Sequence, residues 1–175
     1  MKLLSTVLVV SGLLSSTSIL AAPEELAPYG TAKVDMHTYP IINRVFDVNY
    51  EDPAKLNGLY MFITNVDKLV PGKTVVVLHG PELRVFAKEN YLKYQGIVDK
   101  MAELSKQGTE FRMCNNAMHA AGFKAEDMDG FVTVIPAGFA EIMDLEAKGY
   151  QLILPFVTAV KDSRYIDHPE KKPAN

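Results

Sequence analysis

Residues 74–81 read Thr74-Val75-Val76-Val77-Leu78-His79-Gly80-Pro81. Five consecutive β-branched or apolar residues, with no polar alternation, predict a strand covered on both faces, as in a parallel sheet packed between helices. The run stops at His79-Gly80-Pro81. On its N-terminal side, Pro71-Gly72 ends a helix expected from about Pro53 to Leu69, whose Leu56, Leu59, Tyr60, Ile63, Val66 and Leu69 recur at the spacing of one buried face. Before that helix, Val45-Phe46-Asp47-Val48 forms a strand closed by Asp52-Pro53, with Asp52 placed to cap and Pro53 to take the first helical position.

On the C-terminal side the same alternation continues. A helix from about Leu92 to Gln107 buries Ile97, Val98, Met101 and Leu104, and Gly108 caps it. Glu110 to Met113 is a short strand ended by Cys114-Asn115-Asn116, whose asparagines can cap a brief helix through Ala117 to Ala121. Phe131 to Ile135 makes a fourth buried strand. Pro136-Ala137-Gly138 then turns into a helix bearing Phe139, Ile142, Met143 and Leu145, and Gln151 to Leu154 supplies a fifth strand closed by Pro155. Alternating strands and helices with two-sided apolar strands define an α/β fold, a mainly parallel five-stranded sheet sandwiched between helices.

That architecture has a functional corollary. In open sheets of this kind ligands gather outside the carboxyl ends of the strands, where strand order reverses. Here those ends are His79-Gly80, Cys114-Asn115-Asn116 and Pro136-Ala137-Gly138, so segments far apart in sequence are expected at one edge. Cys114 and His79 are the candidate reactive pair. A ligand held beside them would meet Gly80, Asn115, Asn116, Pro136 and Gly138.

Composition narrows the chemistry. The 175 residues are 48% hydrophobic and 22% charged, enough for one core and too apolar for a disordered chain. A formal charge of -3 gives no basic stripe for phosphate neutralisation, so nucleic acid is not an expected partner. One cysteine excludes an intramolecular disulfide and a multi-thiolate zinc site. Sulfur chemistry therefore rests on Cys114. A thiol attacks as the thiolate, which a helix N-terminus favours; His79 on a neighbouring strand end can stabilise it or carry its proton, with His119 as the alternative partner. The competing reading is inert packing, because free cysteine is among the most buried residue types. His37 and His168 fall in the arm and tail and read as solvated loop residues. Met113, Cys114, Met118 and His119 are soft donors in principle, but methionines at this spacing usually pack a core, and neither a metal nor a cofactor is expected. Phosphate-binding glycine loops and a Gly-x-Ser-x-Gly elbow are missing from the sequence.

The N-terminus reads as a secretory signal peptide over residues 1–21: Lys2, a short apolar core, then Ala21-Ala22-Pro23. The alternative of an uncleaved anchor is disfavoured by a core shorter than the roughly 20 residues that span a bilayer. Without cysteine near the cleavage site, lipid anchoring there is not expected. Loss of Lys2 leaves 17 basic against 21 acidic residues, about -4 formally. Residues 22–42, with Pro23, Pro28, Gly30 and Pro40, suit an extended arm; 43–157 form the compact domain; 158–175 read as a polar tail. The expected location is periplasmic or secreted, with no membrane association after cleavage.

The segment Arg112-Met113-Cys114-Asn115-Asn116-Ala117-Met118, followed by Val134-Ile135-Pro136-Ala137-Gly138-Phe139-Ala140-Glu141-Ile142 and Leu145-Glu146-Ala147-Lys148-Gly149-Tyr150, resembles the DsrE/DsrF-like family. The Val77-Leu78-His79-Gly80 strand end is similar to it too, and the likeness spans residues 43–157. The resemblance implies a three-layer α/β fold, homo-oligomers such as trimers or hexamers, and, in sulfur-relay members, a cysteine that accepts sulfur as a persulfide from a donor protein or small sulfur compound. In this chain that cysteine corresponds to Cys114. Relay members work in the cytoplasm, whereas this chain carries an export signal, so a non-catalytic oligomeric protein binding a small ligand in the periplasm is the alternative.

Overall fold

The computed structural model describes residues 31–156 and 163–174. Contacts divide the chain into Met1–Met36 and His37–Asn175. Of the first unit, residues 31–36 are described, exposed and without regular secondary structure. The expected signal peptide lies outside the described residues. The second unit holds all the regular elements below.

Five strands, β1 (Arg44–Val48), β2 (Thr74–Leu78), β3 (Glu110–Cys114), β4 (Val132–Ile135) and β5 (Gln151–Ile153), form one sheet in the order β4-β3-β2-β1-β5. All four pairings are parallel. Parallel neighbours need crossovers, and the helices supply them: α1 (Lys55–Leu69), α2 (Tyr91–Lys106), α3 (Asn115–Ala120) and α4 (Gly138–Ala147). A further short helix, α5 (Arg164–Asp167), lies with an exposed 3-10 turn at Pro169–Lys171 in the tail.

Strand parity divides the core. Phe46, Val48, Val76, Leu78, Phe111 and Met113 face one layer, where Leu56, Leu59 and Ile63 of α1, Val98, Met101 and Leu104 of α2, and Met118 of α3 bury their faces. Val45, Val75 and Val77 face the other layer, against Ile142 and Leu145 of α4. Three helices thus cover one face and α4 the other, giving the expected three layers. Burial of β2 is complete on both sides.

The sheet edges depart from expectation. In β4, Val132 and Val134 are half-buried and Thr133 is exposed, and in β5 Gln151 and Leu152 are exposed. An apolar run records strand propensity but not position in the sheet, and these are the two edge strands. On the helices, Leu69, Phe139 and Met143 are exposed rather than core, since each lies off the stripe its neighbours bury. α1 starts at Lys55, not Pro53, although Asp52 Oδ1 does accept the Ala54 N–H at 2.9 Å in the turn before it. Residues 81–90, which carry no helical or strand periodicity, form 3-10 turns at Pro81–Phe86 and Lys88–Asn90 that bury Leu83, Val85 and Phe86.

Arg44 opens β1 as a buried cation. Its guanidinium donates to Thr74 Oγ1 (2.9 Å), to the carbonyls of Val70 (2.9 Å) and Ile42 (3.1 Å), and pairs with Asp67. These bonds fasten the end of α1 to the starts of β1 and β2, away from the strand ends that carry the candidate site. No helix among the described residues is long and apolar enough to cross a membrane.

Candidate functional site at the carboxyl strand ends

Register brings the strand ends level: Val48 pairs with Leu78, Leu78 with Met113, and Cys114 with Ile135. Beyond β3 and β4 the chain diverges. α3 descends on the three-helix face, where Met118 is buried, and α4 on the other. Cys114 begins α3 and Gly138 begins α4, so both helix starts border the gap between these adjacent strands. The reversal of strand order falls instead between β1 and β5, so this gap shares the carboxyl edge of the sheet but not the expected reversal point.

Gly138 is the contact on which the site converges. A Cβ built on it would stand 3.1 Å from His79 Cβ and 3.3 Å from Cys114 Cβ, so the glycine lets the histidine and the cysteine crowd the same spot. His79 and Cys114, separated by 35 positions in sequence, therefore border one point, as the strand-end reading requires. His119 is exposed in the last turn of α3. It lies five residues along from Cys114, off the i+3 and i+4 face the cysteine would share.

The structure adds Asp47. Its Oδ1 lies 2.5 Å from His79 Nε2, and both side chains are largely shielded, at 17% and 8% exposure. In β1, Val45 and Asp47 share the α4 face by parity, while Phe46 and Val48 point to the other. A lone carboxylate between the apolar Phe46 and Val48 was the available sequence signal, and its period-two phase with Val45 would have aimed it at the α4 layer. The exposed Phe139 ring sits 4.9 Å from the imidazole, centroid to centroid, at a 54° tilt.

Cys114 is 7% exposed. Its Sγ accepts the Ala117 N–H at 3.5 Å, so the cysteine caps α3. This corrects the expected capping role of Asn115 and Asn116, which instead occupy the first two helical positions, Asn115 half-buried and Asn116 exposed. The cysteine is thus buried at a helix start, as the competing packing reading also expects. Pro136 is exposed, and Gly80 is buried. Gly80 could not be replaced freely, because a Cβ there would fall 2.3 Å from Asn49 Oδ1 and 2.4 Å from Glu82 Oε2. Met113 and Met118 are fully buried in the three-helix layer, so they pack the core and do not join Cys114 as soft ligands. Among the described residues no group of three or more His, Cys, Asp or Glu side chains is placed to hold a metal ion.

Charge around the site is mostly paired. Arg112 on β3 bonds Glu141 of α4 and, at 2.5 Å, Glu110; these partners outweigh burial and hold its pKa above the ordinary value. Glu82 is fully buried, and desolvation raises its pKa against the opposing pull of the Gly80 and Tyr50 amides and of His79. Tyr50, beside it, is pushed up to about 12 by burial and by the Glu82 charge.

An all-parallel α/β sheet whose strand-end cysteine and histidine meet at a helix-opening glycine defines a class of small three-layer proteins with a thiol at the carboxyl edge of the sheet. The DsrE/DsrF-like family model matches residues 45–155, and the chain belongs to that family, which is of the sulfur-relay type. Among solved structures, it is similar to a protein of unknown function from Methanobacterium thermoautotrophicum, at 24% identity and a TM-score of 0.56, covering 68% of this chain and 100% of that one. That likeness is one of fold. No curated protein matches the chain.

Proposed function

We propose that this protein is a sulfur carrier in which Cys114 takes a sulfane sulfur as a persulfide and passes it on, a sulfurtransferase-like activity exercised after export, in the periplasm or outside the cell, by a homo-oligomer such as a trimer or hexamer. The observation that carries this reading is the convergence of the single cysteine and His79 on Gly138, with His79 Nε2 held by Asp47. The Asp47 carboxylate accepts the Nε2 proton, which leaves Nδ1 as the basic ring nitrogen. Nδ1 takes the thiol proton, and Asp47 stabilises the resulting imidazolium. The thiolate then attacks the outer sulfur of the donor: a new S–S bond forms at Cys114 Sγ, the donor S–S bond breaks, and its electron pair leaves with the donor as a thiolate or, from thiosulfate, as sulfite. No oxidant or reductant is consumed. Attack of an acceptor thiolate on the outer sulfur of the persulfide reverses the sequence and frees Cys114.

The family match supports the sulfur chemistry, and the leader-like residues 1–21 support export. A second reading rests on a specific observation: Cys114 is nearly buried with its sulfur engaged by the Ala117 amide, as a structural cap would be. On that reading the protein is a non-catalytic oligomer that binds a small ligand at the strand ends. Intact mass after incubation with thiosulfate or polysulfide separates the two. The carrier gains one sulfur atom, and Cys114→Ser gains none. No adduct on the wild-type protein, together with resistance of the folded thiol to alkylation, selects the binding protein.

A further inference from the structure

We propose that Glu82 is a positioning residue for the Asp47–His79 pair, a role that rests on the reading of Cys114 and His79 given above. The β1–β2 ladder makes its last rung where the His79 N–H donates to the Val48 carbonyl at 3.2 Å. The next amides out, Tyr50 beyond β1 and Gly80 beyond β2, both donate to one carboxylate. Glu82 Oε2 accepts from Tyr50 N at 2.8 Å, and Oε1 accepts from Gly80 N at 3.0 Å. The side chain thus replaces the missing rung and bridges two diverging chain segments at the level where the sheet ends.

Those two segments carry the pair. Asp47 is three residues before Tyr50, and His79 immediately precedes Gly80. Their 2.5 Å contact depends on the separation of β1 and β2 at this end, which the carboxylate sets. Sequence and shape fit the task. Pro81 starts the 3-10 turn Pro81–Phe86 after Gly80, which directs Glu82 back toward the strand ends, and Gly80 has no side chain to obstruct the carboxylate. Glu82 is 0% exposed and has no Lys or Arg partner among the described residues. An unpaired carboxylate is costly to bury, and a fold needing only an apolar plug would place Leu or Met there. Two converging amide donors call for two acceptor oxygens, which Glu provides and Gln does not, since one end of an amide is itself a donor.

The test follows the rate of Cys114 alkylation by iodoacetamide against pH in the full chain, for wild type, Glu82→Gln, His79→Ala and the double variant. Glu82→Gln is expected to slow alkylation near neutral pH by about as much as His79→Ala, on the order of tenfold, and to displace the profile in the same direction. The double variant should be no slower than His79→Ala alone, because a residue that works through the histidine has nothing left to position. Losses that multiply in the double variant, or a His79→Ala profile identical to wild type, overturn the proposal. Sulfur loading is read in parallel. If wild type fails to load while the alkylation rates show the expected coupling, the carrier reading falls and Glu82 keeps its role. If loading is normal and Glu82→Gln leaves the profile unchanged, the carrier reading stands and Glu82 loses it. Should Glu82→Gln not fold, hydrogen exchange on the wild-type protein decides: slow exchange at both the Tyr50 and Gly80 amides supports the bridge, and fast exchange at either removes it.

Discussion

Gly138 separates stability from function at the scale of a single residue. An alanine at this position would gain helix propensity at the start of α4, while its Cβ would press on His79 at 3.1 Å and Cys114 at 3.3 Å. The two effects oppose each other, each on the order of 1 kcal/mol, so Gly138→Ala should change the unfolding free energy by no more than about 1 kcal/mol. The reactive geometry has no such compensation, because the His79 and Cys114 side chains must move apart to admit the methyl group. We expect sulfur loading or alkylation of Cys114 to slow by about tenfold in a protein that unfolds normally. A variant that reacts at the wild-type rate would mean that the spacing is not set by this glycine. His79, Cys114 and Gly138 were legible in the sequence because each ends a strand or opens a helix, and parallel order places such ends together. Asp47 and Glu82 were not singled out. Asp47 sits inside a strand read as apolar, and Glu82 follows a proline in a 3-10 turn, where burial has no period to betray it.

Among the elements, α4 carries an unusual share of the packing because, among the described residues, it is the one helix packed on its face. Ile142 and Leu145 fill the contact with Val45, Val75 and Val77, and the Arg112–Glu141 pair ties the same helix to β3. Among the described residues only the partly buried Tyr150 packs against this cluster from outside it. Ile142→Ala should therefore cost about 2–5 kcal/mol, as a buried truncation whose cavity persists. Met143→Ala, one residue along at 69% exposure, should stay within about 0.5 kcal/mol. Urea unfolding of the two variants measures the difference, and equal losses would show that α4 does not pack as described. The contrast between these neighbours also marks a limit of reading apolar residues from sequence. Phe139, Ile142, Met143 and Leu145 all looked like core, yet a single helix on a broad sheet buries a narrow stripe and leaves the flanking apolar residues in solvent. The edge strands β4 and β5 teach the same lesson, since their apolar runs resemble that of β2 while their positions in the sheet differ.

At the scale of the whole molecule, the Tyr50 hydroxyl connects the site to the far edge of the sheet. It donates to the Pro155 carbonyl at 2.7 Å, joining the segment after β1 to the segment after β5 across 105 residues of sequence. Burial and the neighbouring Glu82 charge keep this phenol protonated up to about 12 in the folded protein, whereas an unfolded tyrosine releases its proton near 10. Between those values the folded state binds more protons than the unfolded one. The contribution of Tyr50 is accordingly complete below pH 10 and is lost as pH rises through 10 toward 12. Tyr50→Phe deletes the titrating group along with the bond. It should lower stability near neutral pH by about 1–3 kcal/mol, since the shielded Pro155 carbonyl loses its donor, yet unfold with a flatter pH dependence in the alkaline range. The other tyrosines, including Tyr60 and Tyr91, whose pKa values are also raised by carboxylate partners, are common to both proteins and cancel in the comparison. Denaturant midpoints measured from pH 8 to 11.5 should therefore converge as pH rises. Parallel curves would mean that Tyr50 ionises alike in the folded and unfolded chains, and that the tie from β1 to β5 does not depend on a shielded phenol.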